Sequence, residues 1–333
     1  MAKGEDAVSG VRVEGRVVPF PQSISPQARA SLARMVSPDG LPLNRSVTPA
    51  ADDFAGWAQA KAAVTERLMQ MFALRTGATS APVETLEMGG AVVHLATPAG
   101  AQTDARAYLD LHGGALVYGG GEPCRLGASA AADQHGVRCY SVDYRMPPEH
   151  PYPAPLDDCV AVYRALLKRH APENIIVGGG SAGGNLAAAL ALRARDEGLP
   201  LPAALVLRTP ELDLTESGDS FETNRAIDVV LPDRLTATNL IYAAGHDLAH
   251  PYLSPLFGDF AKGFPPTFLQ AGTRDQFLSN AVRMHRALRR AGVPVELHVF
   301  EGMPHGGFMG APEDAELAAE VSRFVAEHWG RST

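Results

Sequence analysis

The chain has 333 residues, of which 46% are hydrophobic, so it is long enough to bury the core of one large α/β domain with a smaller helical part. Its formal net charge is −8, from 29 Lys and Arg against 37 Asp and Glu, which disfavours nucleic acid and anionic membrane surfaces as partners. No run of 18 apolar residues occurs, and the first 15 residues lack the apolar core of a signal peptide. The three cysteines lack Cys-x-x-Cys spacing. We therefore expect a cytoplasmic protein with reduced cysteines.

Residues 1–80 carry helical patterns without a strand pattern of their own. Ser25-Pro26 is a cap residue followed by proline, which is typical of a helix start. A longer helix is predicted after Asp53, where apolar residues recur at helical spacing, beginning with Phe54 and Trp57. This apolar stripe either packs on the rest of the chain or faces a binding pocket.

From residue 81 onward, strand-like runs alternate with helical patterns, as expected of βαβ units around a mostly parallel sheet. Residues 107–111 form one such run, which leads directly into His112-Gly113-Gly114. Successive glycines let backbone N–H groups approach a carbonyl oxygen without an intervening side chain. Together with the N–H of Ala182, the N–H groups of Gly113 and Gly114 are predicted to form an oxyanion hole. Tyr118, just beyond this loop, is a candidate pocket wall.

Residues 174–185 contain a buried strand, a glycine-flanked turn with Ser181, and the start of an apolar helix. The pattern Gly179-x-Ser181-x-Gly183 is that of a nucleophile elbow, in which a sharp strand-to-helix turn holds the serine hydroxyl out at the strand end. The small neighbours of Ser181 tolerate the strained backbone that such a turn requires. Ser181 is therefore the candidate nucleophile.

The candidate base and acid follow the serine in the chain. The run 294–300 alternates like a strand and ends in a Gly/Pro-rich loop that carries His305. The run 266–271 also reads as a strand, and Asp275 lies just past it. The order Ser181, Asp275, His305 is that of the triad in α/β-hydrolases. Asp213, which also follows a strand-like run, competes with Asp275 for the role of the acid.

These motifs resemble those of the hormone-sensitive-lipase-like (bacterial group IV) esterases and lactone hydrolases of the α/β-hydrolase superfamily. The stretch 112–115 is similar to the His-Gly-Gly-Gly box of that family, with Ala115 at the last glycine. The stretch 179–184 is similar to its Gly-Asp-Ser-Ala-Gly-Gly box, with Gly180 at the acidic position. Residues 144–154 resemble the Tyr-Arg-Leu-Ala-Pro-Glu-His stretch, and residues 275–308 the acid and histidine segment.

The resemblance implies an α/β-hydrolase fold with a helical cap. The catalytic domain is expected at 81–333, and the cap at 1–80 with a contribution from about 214–250, so that Phe54 and Trp57 could face substrate. The implied activity is hydrolysis of small to medium acyl esters or lactones through an acyl-enzyme on Ser181, without metal or cofactor. We expect a small-molecule ester or lactone as the partner, no nucleic acid and no membrane, with a homodimer as a further possibility.

Three alternatives are weighed against this interpretation. The glycines of 178–183 also satisfy Gly-x-Gly-x-x-Gly, as in a dinucleotide-binding oxidoreductase, but the nearest acidic candidates, Asp196 and Glu197, lie in a charged helix end. A non-catalytic binding protein on a hydrolase fold, such as the plant gibberellin receptors, would lack the catalytic histidine, whereas His305 is present. A zinc site at His246 and His250 is disfavoured because glycine and proline interrupt any helix there.

Overall fold

The computed structural model describes residues 15, 17–45, 48–74, 79–101 and 104–330. Within this part of the chain, eight strands form a single sheet in the order β1-β2-β4-β3-β5-β6-β7-β8. The strands are β1 (Val83–Met88), β2 (Ala91–Ala96), β3 (Ala107–Leu111), β4 (Arg138–Asp143), β5 (Ile175–Gly180), β6 (Ala204–Arg208), β7 (Thr267–Gly272) and β8 (Val295–Phe300). β2 pairs antiparallel with β1 and β4, and all other neighbours are parallel. The predicted mostly parallel sheet is confirmed.

Helices cover both faces of this sheet, which confirms the predicted α/β class. They are α1 (Pro26–Arg34), α2 (Phe54–Leu74), α3 (Glu122–His135), α4 (Ala154–Leu166), α5 (Ala182–Asp196), α6 (Ser220–Thr223), α7 (Thr236–Ala243), α8 (Leu278–Arg290) and α9 (Pro312–His328). Along β5, Ile176 packs with residues of α3 and α9, whereas its neighbour Val177 packs with residues of α4, α5 and α8. Alternate strand residues therefore fill two separate apolar layers, as the period of a β-strand requires.

The parallel register gathers four loops at one edge of the sheet. Leu111 of β3 lies opposite Gly179 of β5, and Gly272 of β7 lies opposite Phe300 of β8. The segments that follow β3, β5, β7 and β8 consequently leave the sheet at its carboxyl edge, where ligands bind in open α/β sheets. All predicted catalytic residues lie in these segments.

The N-terminus of α1 is hydrogen-bonded to the first turn of α9. Ser25 caps α1, since its Oγ accepts the N–H of Ala28 at 3.1 Å. The same residue hydrogen-bonds the carboxylate of Glu313 through its N–H at 2.7 Å and its hydroxyl at 2.8 Å. On its inner side, Leu32 packs in one cluster with Met303 and Phe308, which flank His305. α1 therefore covers the loop that carries the predicted base.

No helix among the described residues is long and apolar enough to cross a membrane. The predicted absence of a signal peptide concerns residues 1–15, of which all but Gly15 lie outside the described residues. The described portions of residues 1–80 contain α1, α2 and a bridge between Val36 and Pro42. The assignment of residues 1–80 and 214–250 to a cap stays a prediction.

Candidate active site

Ser181 joins β5 to α5 in a strained backbone conformation, with φ 56° and ψ −122°. The turn is tight because the neighbouring chain is in contact: a Cβ on Gly183 would lie 1.8 Å from the carbonyl oxygen of Leu111. Only glycine fits at that position. The Ser181 side chain does not cap α5, so its hydroxyl is available for another partner. The elbow thus presents Oγ at the edge of the sheet.

The three residues predicted as a triad lie in one hydrogen-bonded chain. Ser181 Oγ is 2.9 Å from His305 Nε2, and His305 Nδ1 is 3.1 Å from Asp275 Oδ1. Asp275 is fully buried, and its Oδ1 also accepts the N–H of Phe277 at 2.9 Å. The Phe277 ring lies edge-on to the imidazole, with 4.9 Å between centroids. These contacts hold the ring with Nε2 towards the serine.

The surroundings of His305 favour its charged form. Burial lowers the pKa of His305, but the hydrogen bond and the charge of Asp275, together with the nearby carboxylate of Asp228, outweigh burial and raise the pKa above its ordinary value. The imidazolium that forms when the histidine takes a proton is thereby stabilised. The same raised pKa requires a higher pH before the ring can act as a base.

Asp228 is a residue of the site that the sequence reasoning missed. It is fully buried, and its Oδ2 accepts the N–H of Gln276 at 2.9 Å while Oδ1 accepts the N–H of His305 at 3.3 Å. Asp228 therefore links the loop that carries Asp275 to the loop that carries His305. Burial and the charge of Asp275 raise the pKa of Asp228 to about 6. Its irregular segment has no strand or helix period, so no local pattern indicates this role.

Glu211 is a second buried acid that was not predicted. Its N–H donates to the Ser181 carbonyl oxygen at 3.2 Å, and its Oε2 has no hydrogen-bond partner among the described residues. Burial, with a smaller effect of Glu216, raises the pKa of Glu211 to about 8. This side chain is consequently neutral at pH 7. A carboxyl group next to a serine elbow can be kept uncharged in this way.

The loop 112–118, called the oxyanion loop below, lies against the nucleophile. A Cβ on Gly113 would lie 2.9 Å from the Gly180 carbonyl oxygen, and a Cβ on Gly114 would lie 2.1 Å from that of Tyr118. Gly114 also has φ 126°, which only glycine adopts without strain. The N–H groups of Gly113, Gly114 and Ala182 donate no hydrogen bond to another described residue. They are therefore available to an oxyanion near Ser181.

The three predicted pocket residues differ in their surroundings. Trp57 is buried, and its ring lies 6.3 Å from that of Tyr118, between centroids. The Trp57 Nε1 hydrogen donates to the Ala50 carbonyl oxygen at 2.9 Å. Phe54, in contrast, is 57% exposed. α2 thus brings Trp57, but not Phe54, against the wall of the oxyanion loop.

The residues that the alternative interpretations require make contacts that do not suit those roles. Asp213 is paired with Arg283 at 2.6 Å and hydrogen-bonds the Ser217 hydroxyl at 2.7 Å, so its carboxylate is engaged away from His305. Asp196, needed by the dinucleotide alternative, ends α5 and accepts the Tyr252 hydroxyl at 2.8 Å. It does not follow a strand, as ribose recognition requires. The geometry therefore favours Asp275 as the acid.

The two histidines of the zinc alternative pack around an aromatic ring. The His246 ring lies 5.0 Å from the Tyr152 ring and the His250 ring lies 6.5 Å from it, between centroids. His250 Nδ1 accepts the N–H of Tyr252 at 3.2 Å. These contacts are those of a surface aromatic cluster.

Comparisons with known proteins agree with this geometry. Residues 108–309 match the model of a family described as having the α/β-hydrolase fold. An acetyl-hydrolase of Streptomyces hygroscopicus is 38% identical over 207 residues, which cover 62% of this chain and 69% of the relative. An esterase of Acinetobacter venetianus is 33% identical over 221 residues, covering 65% and 73%.

Solved structures extend the similarity to nearly the whole chain. The crystal structure of an esterase named E25 superposes with a TM-score of 0.87 at 35% identity, covering 96% of this chain and 99% of that one. A hormone-sensitive lipase from a metagenome library has a TM-score of 0.79 at 29% identity, covering 91% and 98%. With the serine elbow, the glycine loop and the Ser181–His305–Asp275 contacts in place, the chain belongs to the α/β-hydrolase family, in its hormone-sensitive-lipase-like branch.

Proposed function

We propose that this chain hydrolyses small to medium acyl esters or lactones through an acyl-enzyme on Ser181. The observation that carries the proposal is the continuous contact from Ser181 Oγ through the His305 ring to Asp275. Curated relatives named esterase, carboxylesterase and acetyl-hydrolase support ester hydrolysis as the reaction. The preference for small to medium acyl groups rests on the family resemblance.

In the first half of the reaction, His305 Nε2 takes the Ser181 proton as Oγ attacks the ester carbonyl carbon. The carbonyl oxygen becomes negative and is stabilised by the N–H groups of Gly113, Gly114 and Ala182, with the N-terminus of α5 adding its partial positive charge. Asp275 holds Nδ1 protonated and stabilises the imidazolium. His305 then returns the proton to the leaving alcohol.

In the second half, water takes the place of the alcohol. His305 removes a proton from the water as its oxygen attacks the acyl carbon, and the same N–H groups stabilise the second oxyanion. Collapse releases the carboxylic acid and returns the proton to Ser181. A lactone would follow the same route, except that its alcohol remains attached to the acyl chain until the second step releases a hydroxy acid.

The nucleophile is tested by Ser181→Ala, which should leave a folded protein with esterase activity lowered by about 10³–10⁶-fold, because triad members act as a unit. Activity is measured with p-nitrophenyl esters of graded chain length beside a panel of lactones. A fluorophosphonate probe should label wild type stoichiometrically at Ser181 and leave the variant unlabelled. Absence of labelling in folded wild type would support the non-catalytic binding alternative instead.

We also propose a cytoplasmic location. Cys124, Cys139 and Cys159 are all buried free thiols, which suits a reducing compartment. Fractionation of cells that produce the tagged protein, followed by immunoblotting, would test the location. Recovery in the secreted or membrane fraction would contradict it.

A further inference from the structure

Behind the oxyanion loop, three metal-ligating side chains from different elements converge. His112 follows β3, Cys124 lies in the first turn of α3, and Asp143 ends β4. One ligating atom of each lies within 4.8 Å of those of the other two. The ring Nε2 of His112 and the Cys124 side chain are buried, whereas the Asp143 side chain is 20% exposed. The mechanism proposed above uses none of these three side chains.

The Nε2 atom of the His112 ring is the ligating atom that His112 offers to this cluster. Its Nδ1 is 2.9 Å from the Gly113 carbonyl oxygen, which can only accept, so Nδ1 carries the hydrogen. A neutral ring that is protonated at Nδ1 has its lone pair on Nε2. This Nε2 is buried without a hydrogen-bond partner among the described residues. A histidine that ligates a metal has the same arrangement, with one ring nitrogen held by a carbonyl.

The sulfur of Cys124 is oriented in a similar way. Its Sγ is 3.3 Å from Ser141 Oγ, and Ser141 donates its hydrogen to Asp110 Oδ2 at 2.8 Å. The thiol hydrogen therefore points to Ser141, and the sulfur lone pairs remain free for the cluster. Zn²⁺ binds the thiolate, so a bound cation would displace the thiol proton and release it to solvent.

His94 lies beside the carboxylate of Asp143 but outside the cluster of three. His94 Nε2 is 3.4 Å from Asp143 Oδ2 and has no hydrogen-bond partner among the described residues, while its Nδ1 lies 2.9 Å from Thr85 Oγ1. The Asp143 carboxylate is itself held by the N–H of Gly121, at 3.0 and 3.1 Å. One neutral imidazole, one thiolate and one carboxylate carry two negative charges. They would neutralise one divalent cation in this buried setting.

We propose that His112, Cys124 and Asp143, with a water molecule completing the tetrahedron, bind a Zn²⁺-class divalent cation behind the oxyanion loop. The mixed nitrogen, sulfur and oxygen set suits a cation of borderline softness rather than Mg²⁺ or Ca²⁺, which prefer oxygen ligands. Its effect is structural: the cation ties β4 and α3 to the loop that carries Gly113. The site is independent of the ester hydrolysis proposed above.

The test titrates the purified protein, first stripped with EDTA and then freed of it, with Zn²⁺ in competition with a chromogenic chelator. Wild type should bind one equivalent and gain thermal stability. With Co²⁺ instead, it should show a thiolate-to-cobalt charge-transfer absorption. Cys124→Ser should abolish that absorption and weaken Zn²⁺ binding by more than the roughly 10–100-fold that loss of an outer-shell contact costs.

Cys159→Ser is the matched control, because it removes another buried free thiol, in α4, and should leave binding unchanged. Asp143→Asn provides a second variant should Cys124→Ser misfold, and it should weaken Zn²⁺ binding while leaving the cobalt absorption detectable at high Co²⁺. Failure of wild type to bind Zn²⁺ stoichiometrically would overturn the proposal. So would a Cys124→Ser variant that binds Zn²⁺ as tightly as wild type.

Discussion

Two aspartates that follow neighbouring strands are held in different environments. Asp275 is buried against His305, with Oδ1 shared between the ring and the N–H of Phe277. Asp213 is equally buried but paired with Arg283 and two hydroxyl groups. A carboxylate can orient a histidine only when it is free to accept the Nδ1 hydrogen. The surroundings of each side chain, rather than its position after a strand, determine its role.

We predict that Asp275→Asn lowers kcat by up to about 10⁴-fold, because an amide can favour the wrong imidazole tautomer. Asp213→Asn serves as the matched variant and should lower kcat by far less, about 10-fold or under, by loosening a structural hydrogen bond. Both are measured on purified protein whose folding is verified by circular dichroism. The reverse ranking would assign the role of the acid to Asp213.

At the level of helices and strands, much of the fold could be predicted from the sequence. The strand predicted at 107–111 coincides with β3, and the strand predicted at 266–271 matches β7 within one residue at each end. These elements have a clear alternation or turn signal within the segment itself. The site residues predicted from motifs lie directly after strands, where local sequence and sheet topology together determine their position.

Other parts of the site depend on tertiary contacts and had no local signal. Asp228 comes from an irregular segment and reaches Gln276 and His305 only after the chain has folded. Glu211 follows β6 in the same manner as Asp213, so position alone could not distinguish the buried neutral acid from the ion-paired one. Burial and pairing decide such roles, and a single sequence does not reveal them.

The contact of α1 with the loop that carries His305 is tested by Leu32→Ala. Leu32 is 1% exposed and packs with Met303 and Phe308, so its truncation should lower the free energy of unfolding by about 2–5 kcal/mol. Leu43→Ala is the control, because Leu43 is 59% exposed and should change stability by less than about 0.5 kcal/mol. Urea titration measures both. Equal effects would show that α1 does not support this loop.

The placement of α2 predicts which aromatic residue of the proposed cap affects substrate choice. Trp57→Ala removes a buried ring next to Tyr118 and should change the ratio of kcat/KM between short and longer p-nitrophenyl esters. Phe54→Ala removes a largely exposed ring and should leave that ratio unchanged. Identical ester profiles for wild type and both variants would show that α2 does not line the substrate pocket.

At the scale of the whole molecule, the buried Glu211 makes stability depend on pH. The pKa of its carboxyl rises from an ordinary 4.5 to about 8 in the folded protein. Between these values the unfolded chain has lost the proton and the folded chain retains it. Unfolding thus releases a proton, and stability falls as pH increases from about 4.5 to about 8.

We therefore predict that Glu211→Gln, which cannot ionise, gains thermal stability relative to wild type as the pH is raised through this window. The difference in Tm between variant and wild type should be small near pH 4.5 and largest above about pH 8. Glu316→Gln is the control, since Glu316 is exposed, and its Tm difference should not increase with pH. A constant difference for Glu211→Gln would show that Glu211 is charged in the folded state at neutral pH.

The hydrogen bonds between Ser25 and Glu313 join residues that are 288 positions apart in the chain. These bonds lie next to the loop that carries His305. A segment made before the sheet therefore meets a helix made after it, beside the general base of the proposed triad. Domains assemble progressively as the chain leaves the ribosome. A nascent chain that has reached β8 has its sheet and its serine, yet lacks the histidine and the helix that fixes its loop. Hydrolytic competence would consequently appear only after His305 and α9 have been translated.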